Sequence, residues 1–227
     1  MRGSGEGGES EGDGALRPRP CLGLPGSGII GAMDELAPGL WRWTARHPEA
    51  VADPVPGSPA DWASDVGSVA YVADDVLVLI DPLVPDELWP ELDELARDRR
   101  AIVVTTIDFH RRSRGAVVER YRASTSKARK SLPSGIVPIP LRGAGETMVL
   151  LPEVATLVPG DRLLGDDNGG LRVCPDSWLR YLRNPPDGAG LKVLLRPLLD
   201  LPVERVLVSH GEPVLSGGRA ALAAALR

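Results

Sequence analysis

The chain has 227 residues, 43% of them hydrophobic, which is enough to bury a sizeable core. Its 31 acidic and 26 basic side chains leave a formal charge of −5, which argues against charge-driven binding to nucleic acid or to an anionic membrane. Its two cysteines, Cys21 and Cys174, make no disulfide scaffold, no apolar run approaches the roughly 20 residues that span a bilayer, and Met1 to Gly14 lacks a leader pattern; a protein of the reducing cytoplasm is expected.

Residues 1–32 are rich in Gly, Ser, Glu and Pro and show no periodicity, so they are expected to form a disordered extension, with Met33 a candidate natural start. Gly39 to Arg46 alternates as a strand. Val66 to Val72 and Val76 to Ile80 form a hairpin across Asp74-Asp75, and Asp81-Pro82 stops the second strand. Leu88, Leu92 and Leu95 set one apolar stripe on a helix within Pro85 to Arg99, with Pro90 in its first regular turn. Ala101 to Thr105 is a short buried strand, and Arg112 to Tyr121 a helix. Strands are expected at Ile136 to Ile139, Thr147 to Leu151, Ala155 to Val158 and Val203 to Val208. Helices are expected at Trp178 to Leu182, Leu191 to Leu199 and Arg219 to Leu226. Hairpins followed by β–α units, twice over, predict two mixed sheets facing each other with helices outside.

Chemistry concentrates at strand ends. Of three histidines, His47, His110 and His210, the last two follow apolar strands, in Thr105-Thr106-Ile107-Asp108-Phe109-His110 and Val208-Ser209-His210-Gly211. Val158-Pro159-Gly160-Asp161 places a carboxylate the same way. Singly, such residues are more often turns or packing; together, on these element ends, Asp108, His110, Asp161 and His210 can converge on one rim. The basic runs Arg97 to Arg100 and Lys127 to Lys130 read as solvated faces. Gly165 to Gly170 lacks a calcium-loop pattern and reads as a flexible connection near the site mouth. Ser113 and Ser209 lack a nucleophile-elbow context, no phosphate-binding glycine motif occurs, Cys174 reads as a small core residue, and the five tryptophans read as core and rim packing.

The order of these pieces, over about residues 38 to 226, resembles the metallo-β-lactamase superfamily. Val76 to Pro82 is similar to its early strand ending in Asp, here Asp81. Thr106 to Ser113 sits where it carries His-x-His-x-Asp-His. Gly160-Asp161 resembles its Gly-Asp, whose carboxylate bridges two metals, and Ser209-His210-Gly211 its last His-Gly. The resemblance implies a four-layer αββα sandwich over residues 33–227. It also implies a candidate ligand set of Asp108, His110, Asp161 and His210, with Asp161 and His110 catalytic and Asp81, Arg112 and Ser113 in the pocket.

The departures limit what that site does. Asp108 stands at the first His position, Arg112 and Ser113 at the Asp and second-site His positions, and Arg142 to Glu146 contains no His. A guanidinium cannot ligate and repels a cation, so Arg112 is expected to replace the second metal, paired to Asp161 through two parallel contacts. One divalent metal (Zn, Mn or Fe) at most, or none, is the expected cofactor. The implied function is hydrolysis of a small ester, thioester, amide or lactone. The alternative is a catalytically inactive pseudoenzyme that binds a small molecule or a protein. No nucleic-acid or membrane partner is expected.

Overall fold

The computed structural model describes residues 32–127 and 132–227. The extension expected at 1–32 lies outside them except for Ala32, as does most of the basic run at 127–130. In chain order the strands are β1 (Asp34–Ala37), β2 (Leu40–Arg46), β3 (Asp65–Ala73), β4 (Val76–Ile80), β5 (Arg100–Thr105), β6 (Ser124–Lys127), β7 (Val137–Leu141), β8 (Glu146–Leu151), β9 (Thr156–Val158), β10 (Leu163–Gly165), β11 (Leu171–Val173) and β12 (Arg205–Val206). The helices are α1 (Trp89–Ala96), α2 (Arg114–Tyr121), α3 (Gly188–Leu195) and α4 (Gly218–Ala225).

Strands β1 to β6 make one sheet in sequence order; a second sheet runs β12-β9-β8-β7, and β10-β11 is a separate hairpin. Both larger sheets are mixed, because β4–β5, β5–β6 and β12–β9 pair in parallel and their other neighbours are antiparallel. Pro138 and Pro140 sit in β7, the edge strand of its sheet, where a missing N–H is tolerated.

The period-two alternation of side chains sorts the apolar residues into three layers of core. Val76, Val78 and Ile80 of β4 and Ile102 and Val104 of β5 pack between the sheets against Val149, Leu151 and Val158. Their neighbours Leu77, Leu79, Ala101 and Val103 face outward onto Leu88, Leu92 and Val117, beneath α1 and α2. On the far side, Met148, Leu150, Leu157 and Val206 meet Leu191, Leu195 and Leu222 of α3 and α4. The αββα order follows: two sheets share one core, and each covers its outer face with helices. Strand β4 is buried along its whole length, which is why it reads as an unbroken apolar run.

Several expected elements are shorter than the sequence suggests. Pro90 does sit in the first turn of α1. The expected helix at Trp178 to Leu182 is a single 3-10 turn at Asp176–Leu179. The one at Leu191 to Leu199 breaks at Arg196-Pro197 into α3 and a 3-10 turn, because a proline ring obstructs the preceding helical turn. Val203 to Val208 forms ladder pairs only at β12, and Leu207 to His210 runs on as irregular chain tied across to β3 through the Val66–His210 bridge. The Gly-rich run after Gly165 is the turn of the β10–β11 hairpin, closed by Asp166 Oδ1 accepting from the N–H groups of Asn168 and Gly170. No helix among the described residues is long and apolar enough to cross a membrane.

Leu79 lies fully buried in the layer beneath the helices. Leu79→Ala is expected to cost about 2–5 kcal/mol in urea unfolding, against less than about 0.5 kcal/mol for Val193→Ala, which is 63% exposed.

Candidate functional site

Four strand ends from both sheets deliver the polar residues to one rim. Strand β4 ends at Asp81, β5 runs into 106–113, β9 runs into Pro159-Gly160-Asp161, and the chain after β12 reaches Ser209-His210. The Asp81 turn is left-handed (φ +47) and is held in place. Ser68 Oγ donates to Asp81 O at 3.1 Å and accepts from Leu83 N–H at 2.9 Å, while Trp43 Nε1 donates to Leu83 O at 2.7 Å.

Asp81 faces inward and binds the second loop. Its carboxylate accepts from Thr106 N–H (2.8 Å) and the Thr106 hydroxyl, and lies 2.8 Å from His110 Nδ1. An ionised carboxylate only accepts, so Nδ1 carries the proton and Nε2 points the other way. There it meets Asp161 Oδ1 at 2.9 Å, and His210 Nε2 lies 3.4 Å from the same oxygen. His110, Asp161 and His210 offer ligand atoms all within 4.8 Å of one another. All three are at most 9% exposed.

Asp161 is fixed from behind by Glu146, whose buried carboxylate accepts from the N–H groups of Gly160 (2.9 Å), Asp161 (2.7 Å) and Arg162 (2.9 Å). Gly160 must lack a side chain here, since a Cβ would lie 2.6 Å from Thr106 Oγ1 and 3.0 Å from Glu146 Oε2. Arg162, wholly buried, donates to Ala144 O and to the Tyr181 hydroxyl. His210 Nδ1 has no hydrogen-bond partner. The ring is braced instead by Trp62 and Trp178, each edge-on with centroids 5.5 Å away.

The electrostatics follow from this packing. Burial alone would lower the His110 pKa, but the flanking Asp161 and Asp81 carboxylates override it and push it up to about 9. Burial would raise Asp161; the His110 and His210 contacts prevail and hold it well below the usual carboxylate range. Burial lowers His210, which the Asp161 contact only partly offsets. Near neutral pH the metal-free site therefore holds an imidazolium at His110 and a neutral imidazole at His210. Burial raises Glu146, against the neighbouring Arg162.

The structure does not bring every expected residue to this cluster. Asp108 is exposed and lines a separate cavity of about 290 Å³ with Thr105, Arg114 and Arg142. The reason is geometric: Ile107 to Arg111 forms tight turns, with His110 N–H bonding Ile107 O, and these turns point His110 inward and Asp108 away. Arg112 does line the main cavity, yet its expected two-point contact with Asp161 is replaced by others. Its guanidinium donates to Gly67 O and Asp81 O, both at 2.8 Å, and to Ser209 Oγ. Ser113 stands at the N-cap position of α2 without a capping bond from its side chain, and its hydroxyl accepts from Val84 N–H at 2.9 Å. The main cavity, about 370 Å³, has His110, Asp161, His210 and Arg112 among its lining residues, with Trp62, Phe109, Trp178 and Tyr181 beside them. Two of the tryptophans expected only as packing are therefore cavity walls. Sequence reasoning missed Glu146 and Thr106; a Glu opening the apolar run Met148 to Leu151 was the available signal for the first.

Two imidazoles and one carboxylate suit a single first-row divalent ion with open positions. Asp161 Oδ1 fits that role, being sealed from solvent and facing both imidazole Nε2 atoms, at 2.9 and 3.4 Å. So does the Asp81 contact at His110 Nδ1, since ligating histidines typically donate their other N–H to a carboxylate. With ligand bonds of about 2.0–2.1 Å, two atoms on one tetrahedral ion stand roughly 3.3 Å apart. The 3.4 Å contact already matches that spacing, and the 2.9 Å contact needs a small opening.

No protein-family model matches the sequence, and no curated protein matches it. Solved structures do. The chain is similar to a metallo-β-lactamase from Erythrobacter litoralis at 20% identity, covering 86% of this chain and 89% of that one, with a TM-score of 0.55. A second protein from Erythrobacter litoralis, an NDM/FIM-1-like metallo-β-lactamase in its mono-zinc form, is 17% identical over 88% of this chain and 96% of its own, TM-score 0.56. VMB-1 is 12% identical over 89% and 100%, TM-score 0.57. The chain has the metallo-β-lactamase fold.

Asp81→Asn removes the negative charge beside Nδ1, and in the metal-free chain the His110 pKa is expected to fall from about 9, read by imidazole NMR. Because the folded value is raised, His110 contributes stability that is full below its unfolded pKa near 6.5 and is lost as pH rises through about 9. Unfolding of the metal-free chain at stepped pH should show that loss in the native protein, and less of it in Asp81→Asn.

Proposed function

We propose that this chain is a hydrolase of a small ester, thioester, amide or lactone, working with at most one divalent metal ion. The observation that carries this reading is the convergence of His110, Asp161 and His210 within 4.8 Å at a cavity that also reaches solvent-side aromatic walls. These three residues would hold the ion. Bound there, a Zn, Mn or Fe ion activates water and polarises a carbonyl oxygen. Asp81 keeps His110 in the tautomer that presents Nε2. Asp161, lining the cavity, is the residue placed to accept a proton from an attacking water. Arg112, anchored by three acceptors in the cavity wall, adds a fixed positive charge and opposes a second cation beside the first. A mono-zinc form of one protein with this fold supports a single ion as a workable occupancy. The low cysteine content supports a cytoplasmic setting.

One observation favours a second reading, a binding protein without turnover. The direct 2.9 Å pairing of His110 with Asp161 lets the site balance its charges with no ion present.

Elemental analysis of protein purified without a histidine tag, with a panel of esters and thioesters, separates the two. The hydrolase reading expects about one Zn, Mn or Fe per chain, and turnover that falls about 10²–10⁴-fold in Asp161→Asn. Metal far below stoichiometry after reconstitution, with no turnover of any panel member, favours the binding reading.

A further inference from the structure

Aromatic residues are only 4% of this chain, and it has a single phenylalanine. That phenylalanine, Phe109, lines the main cavity together with Trp62, Trp178 and Tyr181. Two of the four are not there to fill a core. Phe109 is 62% exposed and Tyr181 is 48% exposed, the largest aromatic surfaces the described residues leave open. They meet each other edge-to-face with centroids 4.9 Å apart. Trp62 and Trp178 brace the His210 ring. Exposed rings gathered beside a candidate reaction centre mark a ligand surface.

We infer that this cavity selects compounds whose carbonyl carries a flat aromatic ring, so that the substrates are aryl esters, aryl thioesters or ring-fused lactones, not straight-chain or saturated cyclic ones. This inference rests on the hydrolase reading for its chemistry, and on the cavity walls alone for its selectivity. Flat rings gain edge and face contacts with aromatic walls beyond the area they bury, and a puckered saturated ring of the same size gains only the burial. Tyr181 adds rigidity, because its hydroxyl accepts from the buried Arg162 guanidinium, so the wall is preformed. Charge of both signs lines the cavity, Glu49 and Asp161 against Arg112, Arg180 and His110, so the selectivity is one of ring shape.

The test uses two ketones of matched size that the protein cannot hydrolyse, acetophenone and cyclohexyl methyl ketone. Each is titrated into the native full chain while the indole N–H signals of Trp62 and Trp178 are followed by NMR. The expected result is that acetophenone shifts both signals and binds roughly tenfold tighter than the saturated ketone. Phe109→Leu and Tyr181→Leu should each weaken acetophenone roughly 2- to 12-fold, the range that one aromatic contact supplies, and leave the saturated ketone nearly unchanged. Equal binding of the two ketones by the native chain overturns the inference, as does binding that leaves both indoles unmoved, whatever the esterase assays show. Selective acetophenone binding in a protein that hydrolyses no ester upholds the aromatic preference and removes the hydrolase reading instead.

Discussion

The rest of the site depends on one carboxylate oxygen. Asp161 Oδ1 lies 2.9 Å from one imidazole and 3.4 Å from another, and solvent does not reach it. A buried carboxylate is costly unless charge and hydrogen bonds compensate it. The sheets supply that compensation from several strand ends at once. His110 arrives from the end of β5, held by Asp81 from the end of β4. His210 arrives after β12, clamped by two indoles. Glu146, opening β8, takes three backbone N–H groups and sets where Asp161 stands. The αββα arrangement positions the cluster, because parallel neighbours such as β4 and β5 deliver their ends to the same rim.

Charge balance explains why the cluster suits one cation and not two. In the metal-free chain the Asp81 and Asp161 carboxylates are matched by the His110 imidazolium and the Arg112 guanidinium. A divalent ion entering among His110, Asp161 and His210 would displace one proton from His110, so these groups would gain one net positive charge and not two. No comparable exchange is open at Arg112, which stays protonated and is tied to Gly67, Asp81 and Ser209. Arg112, so held, gives that side of the cavity a fixed positive charge.

Much of the fold was legible in the sequence because the apolar pattern carries it. The run Val76 to Ile80 is buried on both faces and reads as an unbroken apolar strand, and the β4–β5 core alternates as period two demands. The three converging residues were legible from their places after strands. The details that failed share a cause: they depend on how loops turn, and residue type does not encode that strongly. Asp108 and His110 are two residues apart, and the turns over Ile107 to Arg111 send them into different cavities. Arg112 was expected on Asp161 but found three nearer acceptors. Glu146 was missed because its partners are backbone N–H groups, and only its place at the head of the apolar run Met148 to Leu151 marked it. The aromatic cavity wall draws Trp62 and Trp178 from segments over 100 residues apart in the chain, a proximity only the fold supplies.

The most direct measurement is a calorimetric titration of the metal-depleted chain with Zn²⁺, repeated on Asp161→Asn. A site organised around this one carboxylate predicts a single equivalent in the native chain and loss of that binding in the variant. Two equivalents in the native chain, or a single equivalent that survives in Asp161→Asn, would contradict it.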